Sequence, residues 1–304
     1  MPFAFRDLTL RSYEIIISSS HAFSKCVKKR AGQLHICYCH TPSRVLWPPP
    51  SEGSASTFGL SRTLPVRIAA AFLRRVDRAA ARQVDVFFAN SRFTAARIEA
   101  AYSRSARVIY PPCDLQDVPL DLPKQDYYVC VSRLVPYKRV DLILEAFRRL
   151  NRRLVIVGDG PMRPLLERNR PPAVTFAGHL DRRKYLDTLG RARAIVHGAL
   201  EDFGIALVES QACGTPVIAF RQGGSSETLI PWTTENPDGT GILFAEQSPD
   251  SVAEAVSRFE SIGSGFRLSS LRRNAERFSR SRFVEEFRAC VGSAISSWNG
   301  RTLP

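Results

Sequence analysis

No stretch of this sequence is apolar over the roughly 18 residues that a membrane-spanning helix needs. The opening MPFAFRDLTLRSYE lacks the charged-then-apolar order of a secretory signal. Cysteine is sparse and shows no framework: the chain has seven, an odd number, at scattered spacings. This excludes a disulfide scaffold and reads as a chain kept in a reducing cytoplasm. Cys37 and Cys39 lie two apart in an apolar run. No second Cys/His pair stands nearby at metal spacing, so they read as small core residues. An Asp-x-Asp pair, a Ser-His-Asp order and a P-loop are also missing. The first of these absences argues against a divalent cation held by that motif. Acids are few at one end. Residues 1–112 hold 17 Lys and Arg against 6 Asp and Glu, a surplus of 11 in a chain whose net charge is +14. Such a surplus attracts acidic lipid, a lipid diphosphate or nucleic acid. No nucleic-acid motif accompanies it, so nucleic acid is not expected as a partner.

What is present is a chain of 304 residues with 44% hydrophobic content, enough for one large or two ordinary domains. Short apolar runs at Tyr13–Ser18, Leu34–Tyr38, Val84–Ala89 and Val108–Tyr110 read as strands. Leu64–Gln83 reads as an Arg-rich helix with Pro65 in its first turn. Its apolar side is expected to be Ile68, Phe72, Leu73, Val76 and Ala80, opposite Arg67, Arg74, Arg78 and Arg82. The Arg face reads either as solvated or as lying on a membrane. Asn90–Ser91 caps a helix over Phe93–Tyr102, and Pro48–Thr57 is loop. Pro111 and Pro112 break the chain, and residues 113–125 have linker composition. The expected division is an N-terminal domain over 1–112, the linker, a second domain over 126–280, and a closing helix and tail over 281–304.

After the linker, strands and helices alternate: strands at Tyr128–Ser132, Arg153–Val157, Val174–Ala177, Ala194–His197 and Pro216–Phe220, with helices at Val140–Leu150, Met162–Arg168, Asp181–Ala192 and Ile205–Cys213 between them. Alternation of this kind is an α/β fold whose parallel sheet is wound with helices on both faces. Ligands of such sheets bind outside the carboxyl ends of the strands. His40 stands at such an end, because Pro42 stops the strand before it. Three further strand-to-helix loops carry candidate chemistry. Arg133 and Lys138 are two cations five apart before a helix N-terminus, a setting that suits phosphate. Gly158 and Gly160 offer close backbone approach, but Arg163 stands where a dinucleotide fingerprint needs its third Gly. Glu201 and Glu209 frame a helix start, followed by Gly223 and Gly224. Cations for phosphates with carboxylates for hydroxyls is the inventory that a sugar nucleotide requires.

The runs SRLVPYKRVDLILEAF, VIVGDGP, VTFAGHL and EDFGIALVESQACGTPVIAFRQGGSSE resemble the retaining, family 4-type glycosyltransferases. YEIIISSSHAFSK, LHICYCHTPSRVLW, FFANS and VIYPPCD resemble their mannosyltransferase-like branch. The resemblance covers about residues 10 to 290 and implies a GT-B fold, two Rossmann-like domains facing a cleft. It implies that Arg133 and Lys138 neutralise the donor diphosphate, that Glu209 accepts hydrogen bonds from the ribose, and that Glu201 engages the donor sugar. The backbone of Phe203, Gly204 and Ile205 would hold sugar and phosphate, Gly158 and Gly160 would let the substrate approach the backbone, and the backbone at His179 and Leu180 would hold the base. His40 would come from the facing domain to the sugar. Asp141 would steady the loop after Lys138, Glu227 would orient the Gly pair, and Ser19, Ser20 and Arg44 are weaker candidates for the acceptor side. The implied reaction moves a hexose, with GDP-mannose the preferred donor, to a glycan or lipid-linked acceptor. It retains configuration by front-face attack and uses no metal or other cofactor. The implied setting is cytoplasmic, peripheral on an anionic membrane surface.

The first domain is short for this group, and Pro48–Pro50 departs from it where relatives carry an acid after the Trp. This opens an alternative: a catalytically weak, truncated homologue that binds a nucleotide sugar or supports a partner transferase. A short first sheet also leaves an edge that another chain, including a second copy, could complete. An NAD-type oxidoreductase is disfavoured by the missing fingerprint.

Overall fold

The computed structural model describes residues 4–5, 8–49, 64–119 and 121–302. The loop expected over Pro48–Thr57 therefore lies outside the described residues from position 50 on. The chain divides into two compact units, one of residues 1–111 with 281–304, the other of residues 112–280.

The first unit is built on a four-stranded parallel sheet. Its strands are β1 (Ile15–Ser20), β2 (Leu34–Cys39), β3 (Val86–Ala89) and β4 (Arg107–Val108), in that order. All six residues of β2 are buried, as a strand covered on both faces must be. Cys37 and Cys39 sit there as core, and burial pushes the Cys37 thiol up to about 11. Strand β1 lies at an edge and alternates, with Ile17 exposed. Two helices follow, α1 (Leu64–Arg82) and α2 (Arg92–Tyr102). Ser91 caps α2 by accepting from the Thr94 N–H, as its place before the apolar run requires.

Helix α1 keeps part of the expected orientation, with Leu73, Val76 and Ala80 half-buried and Arg67, Arg78 and Arg82 exposed, and departs from it elsewhere. Ile68 and Phe72 are 61% and 55% exposed, with Leu64 in line before them, while Asp77 and Ala81 are buried. Asp77 anchors the inward face because three donors converge on it: Lys25 Nζ at 2.6 Å, Trp47 Nε1 at 2.8 Å and Tyr102 Oη at 2.7 Å. Arg74 and Arg78 flank it, donating to the Leu46 and Ala101 carbonyls and lying over the Trp47 ring. A satisfied buried carboxylate overrides the apolar count that oriented the helix by sequence.

The second unit holds a six-stranded parallel sheet. Its strands are β5 (Tyr128–Val131), β6 (Leu154–Val157), β7 (Val174–Gly178), β8 (Ile195–His197), β9 (Val217–Phe220) and β10 (Gly241–Phe244). Their order is β10-β9-β8-β5-β6-β7. The winding reverses between β5 and β8, which makes the carboxyl ends of these two strands the switch point where such sheets bind ligands. The helices are α3 (Val140–Leu150), α4 (Arg163–Arg168), α5 (Arg182–Arg191), α6 (Ile205–Ala212), α7 (Ser225–Thr228), α8 (Pro249–Ile262) and α9 (Leu268–Glu276). Asp181 caps α5 through the Lys184 N–H, and Ser248 caps α8 ahead of Pro249. Val129, Val157, Ile195, Leu207 and Val217 form the centre of its core. Helix α9, which was not expected, is tied to α6 through Asn274, which donates to Gln211 Oε1 at 2.6 Å and to the Thr228 carbonyl at 2.8 Å.

Two expected boundaries change. Residues 113–119 and 121–125 are a strap on the second unit. The Cys113 N–H bonds to the Phe278 carbonyl, and Lys124 Nζ donates to the Gly190 carbonyl and Thr215 Oγ1. Its Pro and Asp content forbids helix and strand but not docking. The tail helix, α10 (Arg280–Thr302), returns to the first unit. There Phe283 and Phe287 meet Tyr38 edge-on, and Phe287 meets Phe88 likewise. Among the described residues no helix is long and apolar enough to cross a membrane.

Candidate functional site

The loops at the switch point hold two clusters. The first forms where β8 runs into α6. Glu201 Oε1 lies 2.5 Å from Lys138 Nζ and 2.8 Å from His197 Nε2. Burial alone would push this carboxyl up, but Lys138 and His197 outweigh it and hold Glu201 well below the usual carboxylate range. Its backbone is fixed by the glycine pair. Gly223 bridges to Glu201, and the Gly224 N–H donates to the Glu201 carbonyl at 2.8 Å. A Cβ on Gly223 would lie 2.3 Å from that same carbonyl oxygen, and the residue has φ +80°, so only glycine lets the two loops meet. The next residues serve in different ways. The Phe203 side chain is core, edge-on to Phe278, so only its backbone is left for a ligand. Gly204 stands at the N-cap of α6 with no side chain to take up its N–H groups, and Ile205 is exposed beside it.

The second cluster surrounds a cavity of about 690 Å³ at the ends of β5, β6 and β7. Arg133, Gly158, His179 and Leu180 line it, four residues that the sequence had nominated from three separate loops. Arg133 is exposed there and has no acidic partner among the described residues. Gly158 and Gly160 also make room for the β5 loop. A Cβ on Gly158 would fall 2.1 Å from the Ser132 carbonyl oxygen, and one on Gly160 would fall 2.4 Å from that of Leu134. Asp159 closes this corner by accepting from the Gly160 N–H and Arg163, which keeps its carboxyl below the usual range.

Glu209 is buried on α6, and both its oxygens are engaged. Arg182 Nη1 lies 2.5 Å from Oε1, and Tyr185 Oη lies 2.6 Å from Oε2. Arg182 and Tyr185 also line the 690 Å³ cavity, and neither was nominated from the sequence. The signal open to sequence reading was the spacing of three between them on one helix face, at the carboxyl end of β7. His197 was missed as well, being an ordinary member of an apolar strand until its reach to Glu201 is seen. Asp141 pairs with Arg139 at 3.4 Å and caps no backbone N–H. In the first unit, His40 follows β2 and shares a hydrogen bond of 2.8 Å with Ser19 Oγ, its ring edge-on to Tyr38. The sheet thus joins two nominated residues, Ser19 and His40, at adjacent strand ends.

A parallel sheet with its switch point between β5 and β8, and paired cations and carboxylates there, defines an α/β protein suited to a ligand that carries both phosphates and hydroxyls. Residues 116–280, just over half the chain, match the family described as glycosyl transferases group 1, and the chain belongs to it. Among its relatives is the GDP-mannose-dependent alpha-(1-6)-phosphatidylinositol dimannoside mannosyltransferase of Mycobacterium tuberculosis, 32% identical over 189 residues, 59% of this chain and 48% of that one. The corresponding monomannoside mannosyltransferase of Mycolicibacterium smegmatis is 30% identical over 227 residues, 62% and 55% of the two chains. The chain therefore spans about half the length of the curated relatives it matches. By structure it is similar to sucrose-phosphate synthase of Thermosynechococcus elongatus, with a TM-score of 0.76 at 19% identity over 94% of this chain and 75% of that one. Anabaena HepE in complex with UDP and glucose gives 0.70 at 18% identity, over 92% and 78%. These likenesses establish the fold.

Proposed function

We propose that this glycosyltransferase moves a hexose, mannose first among the candidates, from a nucleoside diphosphate sugar to a hydroxyl on a lipid-linked or surface glycan, with retention of configuration. The observation that carries the reading is the charged pair of Lys138 and Glu201 in the loops ahead of α6, the helix that carries the buried Glu209. In this scheme Lys138 and Arg133 take up the charge that develops on the leaving diphosphate. The open N–H groups at the start of α6 add to that stabilisation. Glu209 accepts from the ribose, while Glu201 orients the sugar without forming a covalent bond. His40 of the N-terminal unit is assigned to the sugar. The leaving phosphate takes the acceptor proton, so no metal or cofactor is part of the scheme. The two mannosyltransferase relatives support GDP-mannose as donor and a phosphatidylinositol mannoside as the first acceptor to try. The exposed Leu64, Ile68 and Phe72, on a helix with five Arg, support work at the inner face of an anionic membrane.

The test is a panel of sugar nucleotides. Binding and nucleoside diphosphate release are followed with and without vesicles that carry the acceptor lipid. Release that depends on acceptor, with an α-linked product from an α-linked donor, supports the proposal. Binding without release supports a homologue that holds nucleotide sugar for a partner transferase. No binding to any member removes the reading.

A further inference from the structure

The engagement of Glu209 goes beyond what the site motif assigns. Its side chain is 11% exposed, and an anion buried to that degree needs a cation. Arg182 supplies it, and in a fixed direction. One nitrogen holds Glu209 Oε1, the other donates to the Asp114 carbonyl at 2.8 Å, and the guanidinium lies over the Tyr185 ring at 5.6 Å. The side chain is thus a brace between the strap at residue 114 and helix α6. Tyr185 holds the other carboxylate oxygen. Its hydroxyl stays protonated because burial, and then Glu209 itself, push its titration upward.

A carboxylate offers about four lone-pair positions. The brace and the tyrosine use one on each oxygen, which leaves one on each. That is the demand of a vicinal diol, one acceptor per hydroxyl. The two residues that set the carboxylate are themselves walls of the 690 Å³ cavity that holds Arg133, His179 and Leu180. We propose that Arg182, with Tyr185, is a positioning residue that makes this site select ribose over deoxyribose nucleotides. The inference rests on the donor-site reading of Glu209. Without Arg182 the carboxylate loses the charged donor that fixes its direction, so it holds the two hydroxyls less well. Lysine at this position keeps the charge but cannot bridge Glu209 and Asp114 with two planar donors.

The experiment measures calorimetric affinities of GDP and 2′,3′-dideoxy-GDP for the wild type, Arg182→Ala, Arg182→Lys and Tyr185→Phe. UDP and its dideoxy analogue are run in parallel. The wild type is expected to favour the ribose form by about tenfold or more, since hydrogen bonds to a charged acceptor are lost with the hydroxyls. Arg182→Ala should bring the ratio below about threefold, with Arg182→Lys in between. Circular dichroism melts confirm that each variant is folded. If Arg182→Ala weakens both nucleotides equally, Arg182 is only an attracting charge and the proposal falls. If the wild type binds both forms equally, the ribose role of Glu209 falls with it. If the wild type binds no nucleoside diphosphate, the donor-site reading itself has failed.

Discussion

Removing Glu201 should separate the two duties of its cluster. Glu201→Ala deletes a carboxylate that lies 2.5 Å from Lys138 Nζ and 2.8 Å from His197. Breaking a fully buried pair costs about 3–5 kcal/mol. Here the two side chains keep 17% and 15% exposure. The expected cost is therefore nearer 1–2 kcal/mol, or about 3–6 °C in melting temperature. Affinity for the free nucleoside diphosphate should move the other way. Lys138 loses its partner and is released toward phosphate. At an effective dielectric of about 20, an anion at roughly 5 Å from that ammonium is worth about 3 kcal/mol, which solvent and salt reduce to about 1. GDP or UDP should thus bind about fivefold more tightly to Glu201→Ala than to the wild type. Turnover should fall in the same variant. Lys138→Ala should weaken the nucleoside diphosphate by about tenfold or more, since it deletes the cation. Titration calorimetry beside thermal melts reads all three quantities. Equal loss of nucleotide affinity in both variants would refute the assignment of phosphate to Lys138 and sugar to Glu201.

Other consequences follow from the first unit. Phe72→Asp should abolish co-flotation with vesicles rich in anionic lipid while leaving nucleotide affinity unchanged, and flotation that persists would remove α1 from the membrane surface. His35 is buried, with Ser18 Oγ at 2.9 Å and no partner for Nδ1. Burial, and then Lys29, lower its pKa to about 4. The unfolded chain takes up this proton as pH falls through about 6.5 and the folded chain does not, so stability is full above that value and declines toward pH 4, by up to about 3 kcal/mol. His35→Gln should flatten urea midpoints between pH 7 and pH 4.5, and an unchanged slope would assign the decline to other groups. Glu201, with its pKa lowered, supports the fold above the ordinary carboxylate range and fails only as pH drops further. Asp77→Asn strands Lys25, which is 1% exposed, and should cost about 3–5 kcal/mol by urea unfolding. A cost below about 1 kcal/mol would mean that the buried network is dispensable.

Strands and loops were legible in the sequence for a physical reason. Parallel strands covered on both faces are short continuous apolar runs, as in LVIV of β6 and VIAF of β9. The polar residues that follow each run stand at one sheet edge, so Arg133, Lys138, His179 and Glu201 could be grouped before any coordinates. What was not legible depends on partners far along the chain. Helix α1 was oriented by counting apolar residues, yet Asp77 turns inward because Lys25, Trp47 and Tyr102 await it. The strap at 113–125 looked like a linker because backbone docking leaves no pattern in composition. Arg182 looked like a surface arginine because its partners, Asp114 and Glu209, lie 68 and 27 positions away.

The two glutamates of the motif now differ in kind. Glu201 shares its charge with a lysine, whose three rotatable donors let it keep the carboxylate and still reach a phosphate oxygen. Glu209 shares its charge with an arginine that is pinned on its other side by a backbone carbonyl. In the proposed reaction the first pair exchanges partners as charge moves to the leaving group, while the second cannot turn without losing its brace. Reaction requires the first property, since stabilisation must grow in the transition state. Recognition requires the second, since an acceptor selects a hydroxyl only while its own direction is fixed. Seven residues of one loop and helix thus separate the lysine-paired charge from the arginine-braced one. The glycine pair at 223–224 holds the first in place by closing on the Glu201 backbone, while Lys138 and His197 engage its side chain.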